Sequence, residues 1–199
     1  MKLYCATTNP GKLREFRLAA GLVASGPGFD IETLNLTGVP APDETGGTFE
    51  ENAIQKALYY APYAPGPLFA EDSGLEAAAL GGAPGIYSAR YAGIGSTDAA
   101  NNQLLMERLA GVADRRARYV CALAIVFQGQ VQGVFRGEME GEMLATPRGS
   151  GGFGYDPFFY YPPFEATLAE VAVERTFSVS HRRRALDDLF GWLRAAPRF

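Results

Sequence analysis

Two pairs of adjacent acidic residues are the side chains of this sequence best suited to hold a metal ion. Asp43-Glu44 lies in a loop rich in glycine and proline, and Glu71-Asp72 follows a short apolar strand and precedes Ser73-Gly74. Magnesium takes hard oxygen ligands, usually one or two carboxylates together with substrate phosphates. The end of a strand is a common place for such a site, which favours Glu71-Asp72. A solvated loop explains Asp43-Glu44 taken alone.

The candidate phosphate-binding segment is Thr7-Thr8-Asn9-Pro10-Gly11-Lys12. We expect it at a strand-to-helix junction, with Asn9 as the helix cap and Pro10 as the first helical residue. A helix N-terminus offers free N–H groups and partial positive charge to a phosphate, and Lys12 adds a full charge. The segment is not a Walker A loop, which needs GxxxxGK[ST]. An ordinary capped helix with a surface lysine explains it equally well.

A glycine-rich segment, Gly149 to Pro157, could bind a nucleotide base. Its glycines permit unusual backbone angles and close contact. Phe153 and Tyr155 could stack on a base, and Asp156 could accept a hydrogen bond from a base N–H group. A turn whose aromatic residues belong to the core is the competing interpretation.

The segment Ser180-His181-Arg182 opens the last predicted helix. Histidine and arginine donate hydrogen bonds, so this pair could recognise a carbonyl group on a base. Three consecutive arginines, 182 to 184, are also what a solvated helix face would carry, and taken alone the segment favours that interpretation.

Hydrophobic spacing indicates the elements that must position these residues. It predicts strands at 2–7, 31–36, 68–70, 119–127 and 131–135. It predicts helices that begin near Asn9, Thr48, Thr97 and Ser180. Strands mixed with helices indicate an α/β fold. Because Gln128-Gly129 is a plausible turn between two strands, we expect a mixed sheet rather than a purely parallel one.

Length and charge limit the class of protein. A chain of 199 residues suits one domain, or two lobes that share one core. A net charge of −4 argues against nucleic acid as a partner, because phosphate contacts dominate that affinity. No segment has the length of a signal peptide or membrane span, so we expect no membrane partner and a cytoplasmic protein. One histidine and no CxxC pair argue against a zinc site.

In this order, the segments resemble the inosine triphosphate pyrophosphatase family, enzymes that remove deaminated purine nucleotides. The resemblance covers nearly the whole chain and rests on Thr7–Lys12, Thr48–Ala53, Asp72–Gly74, Gly81–Tyr91, Gly151–Pro157 and Ser180–Arg182. It implies a single nucleoside triphosphate pyrophosphatase domain over residues 1–199, elongated, with two lobes, a long mixed β-sheet and a central substrate cleft. It further implies a homodimer, Mg²⁺ as cofactor, and hydrolysis of a nucleoside triphosphate to the monophosphate and pyrophosphate.

The resemblance also implies a role for each matching residue. Phosphate binding falls to Thr7, Thr8, Asn9, Pro10, Gly11 and Lys12, and base binding to Phe153, Gly154, Tyr155, Asp156, His181 and Arg182. Ser73 contacts substrate, and the metal is held by Glu44 and Asp72, with Glu71 as a further acid. Asp72 also accepts a proton from the attacking water, and Lys12 supplies charge to the phosphates. His181 and Arg182 face the 6-oxo edge of the base, where adenine carries a donor instead.

This sequence departs from the family pattern at two positions. The family usually has aspartate where this chain has Glu71, and a lysine where it has Thr176. Arg175 is adjacent and always charged. We expect a loop here, in which the Arg175 guanidinium turns towards the vacant position and binds substrate. In a strand or helix, neighbouring side chains point in different directions, so the Arg175 guanidinium would not reach the vacant position. The competing interpretation is a solvated arginine without a role.

Other functions make different predictions. A related pyrophosphatase would prefer pyrimidine or other modified nucleotides, which a ranking of ITP, XTP, dUTP and methylated nucleotides would reveal. A nucleotide sensor would bind without cleavage, and it would not need the acids at Glu44, Glu71 and Asp72. A structural or nucleic-acid-binding role is disfavoured by the acidic charge balance.

Overall fold

The computed structural model describes residues 1–7, 9–22 and 29–195, and within them it has seven strands and five α-helices. The strands are β1 (Lys2–Cys5), β2 (Asp30–Thr33), β3 (Leu68–Ala77), β4 (Arg116–Phe127), β5 (Gln130–Met143), β6 (Phe159–Tyr161) and β7 (Ala166–Thr167). The helices are α1 (Pro10–Leu22), α2 (Phe49–Tyr60), α3 (Asp98–Arg108), α4 (Val173–Val179) and α5 (His181–Ala195). None of these helices is long and apolar enough to cross a membrane.

The strands form one mixed sheet in the order β2-β1-β3-β4-β5-β6-β7. β1 pairs in parallel with β2 and with β3, whereas β6 pairs in antiparallel with β5 and β7. The α/β fold with a mixed sheet that the sequence predicted is thereby confirmed.

The turn between β4 and β5 explains why the two long strands are neighbours. Gln128 and Gly129 have φ angles of 50° and 74°. Positive φ at both central residues is the geometry of a type I′ turn, whose twist matches that of the strands it joins. The predicted turn at Gln128-Gly129 is confirmed.

Three helices begin at the caps predicted from the sequence. Thr48 and Thr97 each accept the backbone N–H three residues on, at 3.1 and 3.2 Å, and α2 and α3 follow directly. Asn9 accepts two backbone N–H groups of the first turn of α1 through its Oδ1 atom. These side chains satisfy donors that a helix N-terminus leaves without partners.

β3 is much longer than the sequence predicted. A strand was expected over 68–70 only, but it continues to Ala77 and is buried over most of its length. Glu71 and Asp72 therefore lie inside the strand, not in a loop at its end, and they are only 4% and 6% exposed. The prediction was wrong because charged residues rarely occur in a buried strand, unless ionic partners compensate them.

The chain divides into two compact units. The first comprises the described residues of Met1–Asp72, Cys121–Gly137 and Arg182–Phe199, and the second those of Ser73–Val120 and Glu138–His181. The core of the first unit includes two aromatic pairs, Phe16 with Phe69 and Phe29 with Phe190. The core of the second includes Leu75, Leu105, Leu109, Tyr119, Met139, Met143, Tyr155 and Phe159.

Candidate active site

One lysine of the first unit lies against two of the three acids that the sequence assigned to the metal. The Lys56 ammonium is 2.6 Å from Glu44 Oε1 and 3.0 Å from Asp72 Oδ1. The other oxygen of Asp72, Oδ2, accepts a hydrogen bond of 3.0 Å from the Asn52 side-chain amide. The structure thus brings Glu44 and Asp72 to one point and fixes the orientation of the Asp72 carboxylate.

Asn52 and Lys56 reach Asp72 together because they are four residues apart on α2, and such residues lie on the same helix face. Asn52 also accepts the Gly46 backbone N–H through its Oδ1 atom, at 2.8 Å, which fixes the loop that carries Glu44. Neither residue was predicted from the sequence as part of the site. The signal was available, because a polar pair at this spacing follows the cap at Thr48.

Burial and charge set the protonation of this cluster. Burial raises the pKa of Asp72, and this effect outweighs the lowering by Lys56 and Asn52, so the carboxylate is a stronger base than usual. Burial alone would lower the pKa of Lys56, but the charges of Asp72 and Glu44 outweigh it and raise the pKa above 10.5. Lys56 is therefore charged at neutral pH.

Glu71 belongs to a different cluster from Asp72. Successive side chains of a strand point to opposite faces, and the contacts of the two acids follow this alternation. Glu71 pairs with Lys12 of α1 through Oε1, and with Arg182 Nε through Oε2 at 2.9 Å. The Cys121 thiol donates to the same Oε2 at 3.2 Å. Glu71 thus contacts Lys12, Arg182 and Cys121, whereas Asp72 contacts Asn52 and Lys56, and a role of Glu71 as metal ligand stays a prediction.

Arg182 lies at the centre of a buried ion-pair network. Its side chain is only 2% exposed, and its Nη1 atom pairs with Glu15. Burial raises the pKa of Glu71, but the charges of Arg182 and Lys12 outweigh it and hold the pKa well below 4.5. The competing interpretation of Arg182 as part of a solvated helix face is wrong.

The start of α1 is capped by its own sequence. Asn9 Oδ1 accepts the Gly11 and Lys12 backbone N–H groups at 2.9 and 3.2 Å, and Thr7 Oγ1 accepts the Asn9 N–H at 3.2 Å. The two amides of α1 that were expected to face a phosphate are thus bonded to Asn9, and the full charge comes from Lys12. Thr8 lies outside the described residues.

The segment predicted to bind the base lies in the second unit. Phe153 is 43% exposed, which suits a residue that stacks on a base. Tyr155, in contrast, is buried in the core and donates its hydroxyl to the Ser88 carbonyl at 2.7 Å. Of the two aromatic residues that could stack on a base, the structure leaves only Phe153 available. Ser73, the other predicted contact in this unit, lies half-buried in β3.

Two residues of α3 hold the backbone of this segment. Gly154 donates its N–H to Asp98 Oδ2, and its carbonyl accepts from Asn102 Nδ2, both at 2.8 Å. Asp98 and Asn102 are four residues apart, so one helix face fixes both sides of a single residue. Gly154 has a φ of 62°, a conformation that glycine adopts without strain.

Asp156 and His181 are both in contact with Tyr119 of β4. The Tyr119 hydroxyl lies 2.9 Å from Asp156 Oδ1, and its ring stacks on the His181 imidazole with centroids 4.9 Å apart. The structure thus connects two residues that the sequence assigned to the base. From the sequence, Tyr119 was predicted only as part of a buried strand.

A model of the Ham1 family matches residues 3–192 of this chain. The chain belongs to the Ham1 family. It is similar to a dITP/XTP pyrophosphatase from Acidobacterium capsulatum, at 48% identity over 198 residues, which covers 94% of this chain and 95% of that protein. The family predicted from the sequence motifs is confirmed.

Solved structures of other Ham1 proteins share the fold of this chain. A HAM1 protein from Coxiella burnetii has a TM-score of 0.87 and 38% identity, over 98% of this chain and 100% of that one. The Staphylococcus aureus Ham1 protein has a TM-score of 0.84 and 38% identity, over 98% and 99% of the two chains.

Glu44 and Asp72 offer the carboxylate oxygens that hard divalent cations prefer. Within residues 1–7, 9–22 and 29–195, no three side chains of His, Cys, Asp or Glu gather into a metal-binding group. Glu44 and Asp72 still place two carboxylates around one positively charged atom, the Lys56 Nζ. Two carboxylates completed by substrate phosphates are the usual protein contribution to a magnesium site.

The Arg182 network predicts a large loss of stability when the arginine is removed. Arg182→Met is expected to lower the free energy of unfolding by about 3–5 kcal/mol, because it removes the buried cation that pairs with Glu15 and leaves Glu71 with Lys12 as its cation. Urea denaturation measures the change. The matched control is Arg183→Met, which breaks an i,i+4 pair with Asp187 at the helix surface and should cost only about 0.5 kcal/mol. Equal losses in the two variants would contradict a structural role for Arg182.

The loop expected around Arg175 and Thr176 is wrong, because the Ham1 chain is helical there, in α4. Neighbouring residues of a helix point about 100° apart, so Arg175 does not take the direction of Thr176. Its guanidinium lies over the Phe164 ring, 4.3 Å from the centroid. The structure therefore places Arg175 in a cation–π contact and gives no support to its predicted contact with substrate.

Removing Arg175 is accordingly expected to have little effect on substrate affinity. Arg175→Ala should leave the KM for ITP and XTP within about twofold of the wild type, because the contact it loses is with Phe164. Steady-state kinetics with both substrates checks this. A KM raised by about tenfold with unchanged kcat, the pattern of lost uniform binding, would return Arg175 to the substrate site.

Proposed function

We propose that this chain hydrolyses deaminated purine nucleoside triphosphates, ITP, dITP and XTP, to the monophosphate and pyrophosphate, and so cleanses the nucleotide pool. Relatives named dITP/XTP pyrophosphatase match it over nearly its whole length. The structural observation that carries the proposal is the buried Asp72 carboxylate, held by Asn52 and Lys56 with Glu44 beside it. A protein that only binds nucleotides has no need of an oriented base.

Asp72 is the base of the proposed reaction. A water oxygen attacks the α-phosphorus, the bond to the bridging oxygen of the β-phosphate breaks, and a water proton passes to Asp72. Its Oδ2 atom is held by Asn52, which orients the carboxylate. The products are the nucleoside monophosphate and pyrophosphate.

Charge neutralisation of the triphosphate falls to two lysines and a metal. Phosphoryl transfer depends mainly on alignment and electrostatic stabilisation. Lys56 pairs with Glu44 and Asp72, and Lys12 lies in the first turn of α1. We propose that Glu44 and Asp72 hold Mg²⁺, which when bound supplies positive charge to the phosphate oxygens. If Mg²⁺ takes the two carboxylates that now pair with Lys56, a substrate phosphate beside them would give the Lys56 ammonium a new anionic partner.

Base selection is assigned to the second unit and to the start of α5. Hypoxanthine and xanthine carry an acceptor at position 6 and an N–H at position 1, whereas adenine has the opposite pattern at both. A donor at His181 would match the 6-oxo group, and Asp156 would accept the N–H, whereas Nε and Nη1 of the buried Arg182 already donate to Glu71 and Glu15. A site built on hydrogen bonds rejects a mismatched base by large factors, because buried polar groups are then left unpaired.

Pyrophosphate release from a panel of triphosphates tests the function. We expect release from ITP, dITP and XTP with magnesium, little from ATP or dUTP, and none after addition of EDTA. Preference for dUTP or for methylated nucleotides would indicate a related pyrophosphatase instead. Binding of dITP without turnover would indicate a sensor.

The metal assignment predicts a changed demand for magnesium. Glu44→Gln is expected to raise the Mg²⁺ concentration for half-maximal activity by at least about tenfold, because it removes one of two charged oxygen ligands. A magnesium titration at saturating dITP measures this. The matched control is Glu32→Gln, which alters an exposed glutamate paired with Lys2. An unchanged magnesium requirement in Glu44→Gln would remove Glu44 from the metal site.

Two further properties stay predictions: assembly as a homodimer and a cytoplasmic location. Both rest on the sequence and the family resemblance. Light scattering of the purified protein would test the first, with a mass of twice the 21.4 kDa chain expected.

A further inference from the structure

Tyr119 contacts Asp156 and His181, the two residues to which the proposed function assigns recognition of the base. It lies near the start of β4, is buried in the core of the second unit, and has no part in the resemblance on which the family was recognised. Its hydroxyl and its ring make separate contacts with Asp156 and His181.

The hydroxyl contact fixes the carboxylate of Asp156. Tyr119 donates to Oδ1 at 2.9 Å, and the Phe153 backbone N–H donates to Oδ2 at 3.0 Å. Burial and the charge of Asp156 both raise the pKa of Tyr119 well above 10.0, so the hydroxyl keeps its proton and remains a donor. A carboxylate oxygen accepts more than one hydrogen bond, so Asp156 keeps capacity for a base N–H.

The ring contact fixes the imidazole of His181. The two planes are nearly parallel, at 12°, and the Tyr119 ring also packs on Phe159 with centroids 4.7 Å apart. A ring wedged in a core has little freedom to turn, because protein interiors are close-packed. The Tyr119 ring therefore sets the orientation of the His181 imidazole plane that stacks on it.

We propose that Tyr119 is a positioning residue for base selection, whose hydroxyl orients Asp156 and whose ring orients His181. The proposal rests on the proposed function, because it assumes that these two residues meet the base. Tyr119 acts on the choice between 6-oxo and 6-amino purines and does not touch the reacting phosphates.

Tyr119→Phe separates the hydroxyl from the ring. The variant keeps the stack on His181 and the packing on Phe159, and it leaves Asp156 with one bond fewer. We expect the KM for dITP to rise by about tenfold, with kcat within about twofold, and the preference for dITP over dATP to fall by a similar factor. A merely structural role would lower the amount of active enzyme for both substrates alike and leave the KM unchanged.

The matched control is Tyr91→Phe. Tyr91 packs against the same core, and its hydroxyl accepts a bond of 3.2 Å from Arg108, away from Asp156 and His181. Tyr91→Phe also removes a tyrosine hydroxyl from the second unit. It should leave the KM for dITP and the preference for dITP over dATP unchanged. Equal losses in Tyr91→Phe and Tyr119→Phe would overturn the proposal.

A double-mutant cycle tests whether Tyr119 acts through Asp156. In the Asp156→Ala background, Tyr119→Phe should change the preference for dITP over dATP by less than about twofold, because the carboxylate that the hydroxyl orients is absent. Additive losses would mean that Tyr119 acts by another route, and would overturn the proposal.

The ring contact has a readout that needs no substrate. His181 is the only histidine of the chain, so its imidazole proton signals are assigned without ambiguity. Tyr119→Phe should keep the ring-current shift of these signals, and Tyr119→Leu should abolish it. If the wild type favours dITP but Tyr119→Phe changes neither the KM for dITP nor the preference over dATP, the positioning role of Tyr119 is refuted and the proposed function stands. If the wild type does not favour dITP, the proposed function fails, whatever the His181 signals show.

Discussion

Asp72→Asn is expected to lower kcat for dITP by at least about 100-fold, the usual scale for the loss of a general base. Asparagine has nearly the same size, and its side-chain oxygen can still accept a bond from Asn52 or Lys56. The variant should therefore fold normally, with an unchanged circular dichroism spectrum. Single-turnover kinetics measures the chemical step.

Two comparisons make the Asp72 result decisive. Asp30→Asn alters an exposed aspartate of β2 in the same unit and should change kcat by less than about twofold. A magnesium titration of Asp72→Asn separates the two roles of this residue, because activity restored by excess magnesium would mean that Asp72 acts as a ligand and not as the base. Near-normal turnover without excess magnesium would exclude both roles.

Lys56→Met is expected to lower kcat/KM by at least about 100-fold, the scale seen when one preorganised donor is removed from an active site. The substitution removes the cation that lies between Glu44 and Asp72, and these carboxylates would then repel each other. It also removes a cation for the triphosphate. Initial rates with dITP over a range of magnesium concentrations measure the loss.

The matched control for Lys56 is Lys2→Met. Lys2 is also a lysine of the first unit paired with a glutamate, Glu32 at 2.7 Å, but it lies half-exposed on β1. Its replacement should leave kcat/KM within about twofold. Activity of Lys56→Met close to that of Lys2→Met would show that the Lys56 cation has no part in the reaction.

Local signals in the sequence were sufficient for most helix starts and for the mixed sheet. Caps at Asn9, Thr48 and Thr97 depend on side chains within three residues of each other, and so does the turn at Gln128-Gly129. The length of β3 could not be predicted in this way. Its charged residues are compensated by partners that are far away in the chain, such as Arg182 for Glu71.

Among the site residues, too, some could be predicted from local motifs, whereas others depend on the strand or the core to which they belong. The motifs pointed to Glu44 and Asp72, and the structure brings these two together through Lys56. The motifs also grouped Glu71 with Asp72, because a sequence does not show that neighbouring residues of a strand face opposite ways until the strand itself is recognised. Tyr119 was missed because a tyrosine in an apolar strand has the pattern of an ordinary core residue.

The product released from dITP tests the central claim most directly. The enzyme is incubated with dITP and magnesium, without any added pyrophosphatase, and the products are followed by phosphorus NMR. Attack of water at the α-phosphorus predicts deoxyinosine monophosphate and pyrophosphate in equal amounts from the first turnover. Deoxyinosine diphosphate with orthophosphate as the primary products would place the attack at the γ-phosphorus and contradict the account.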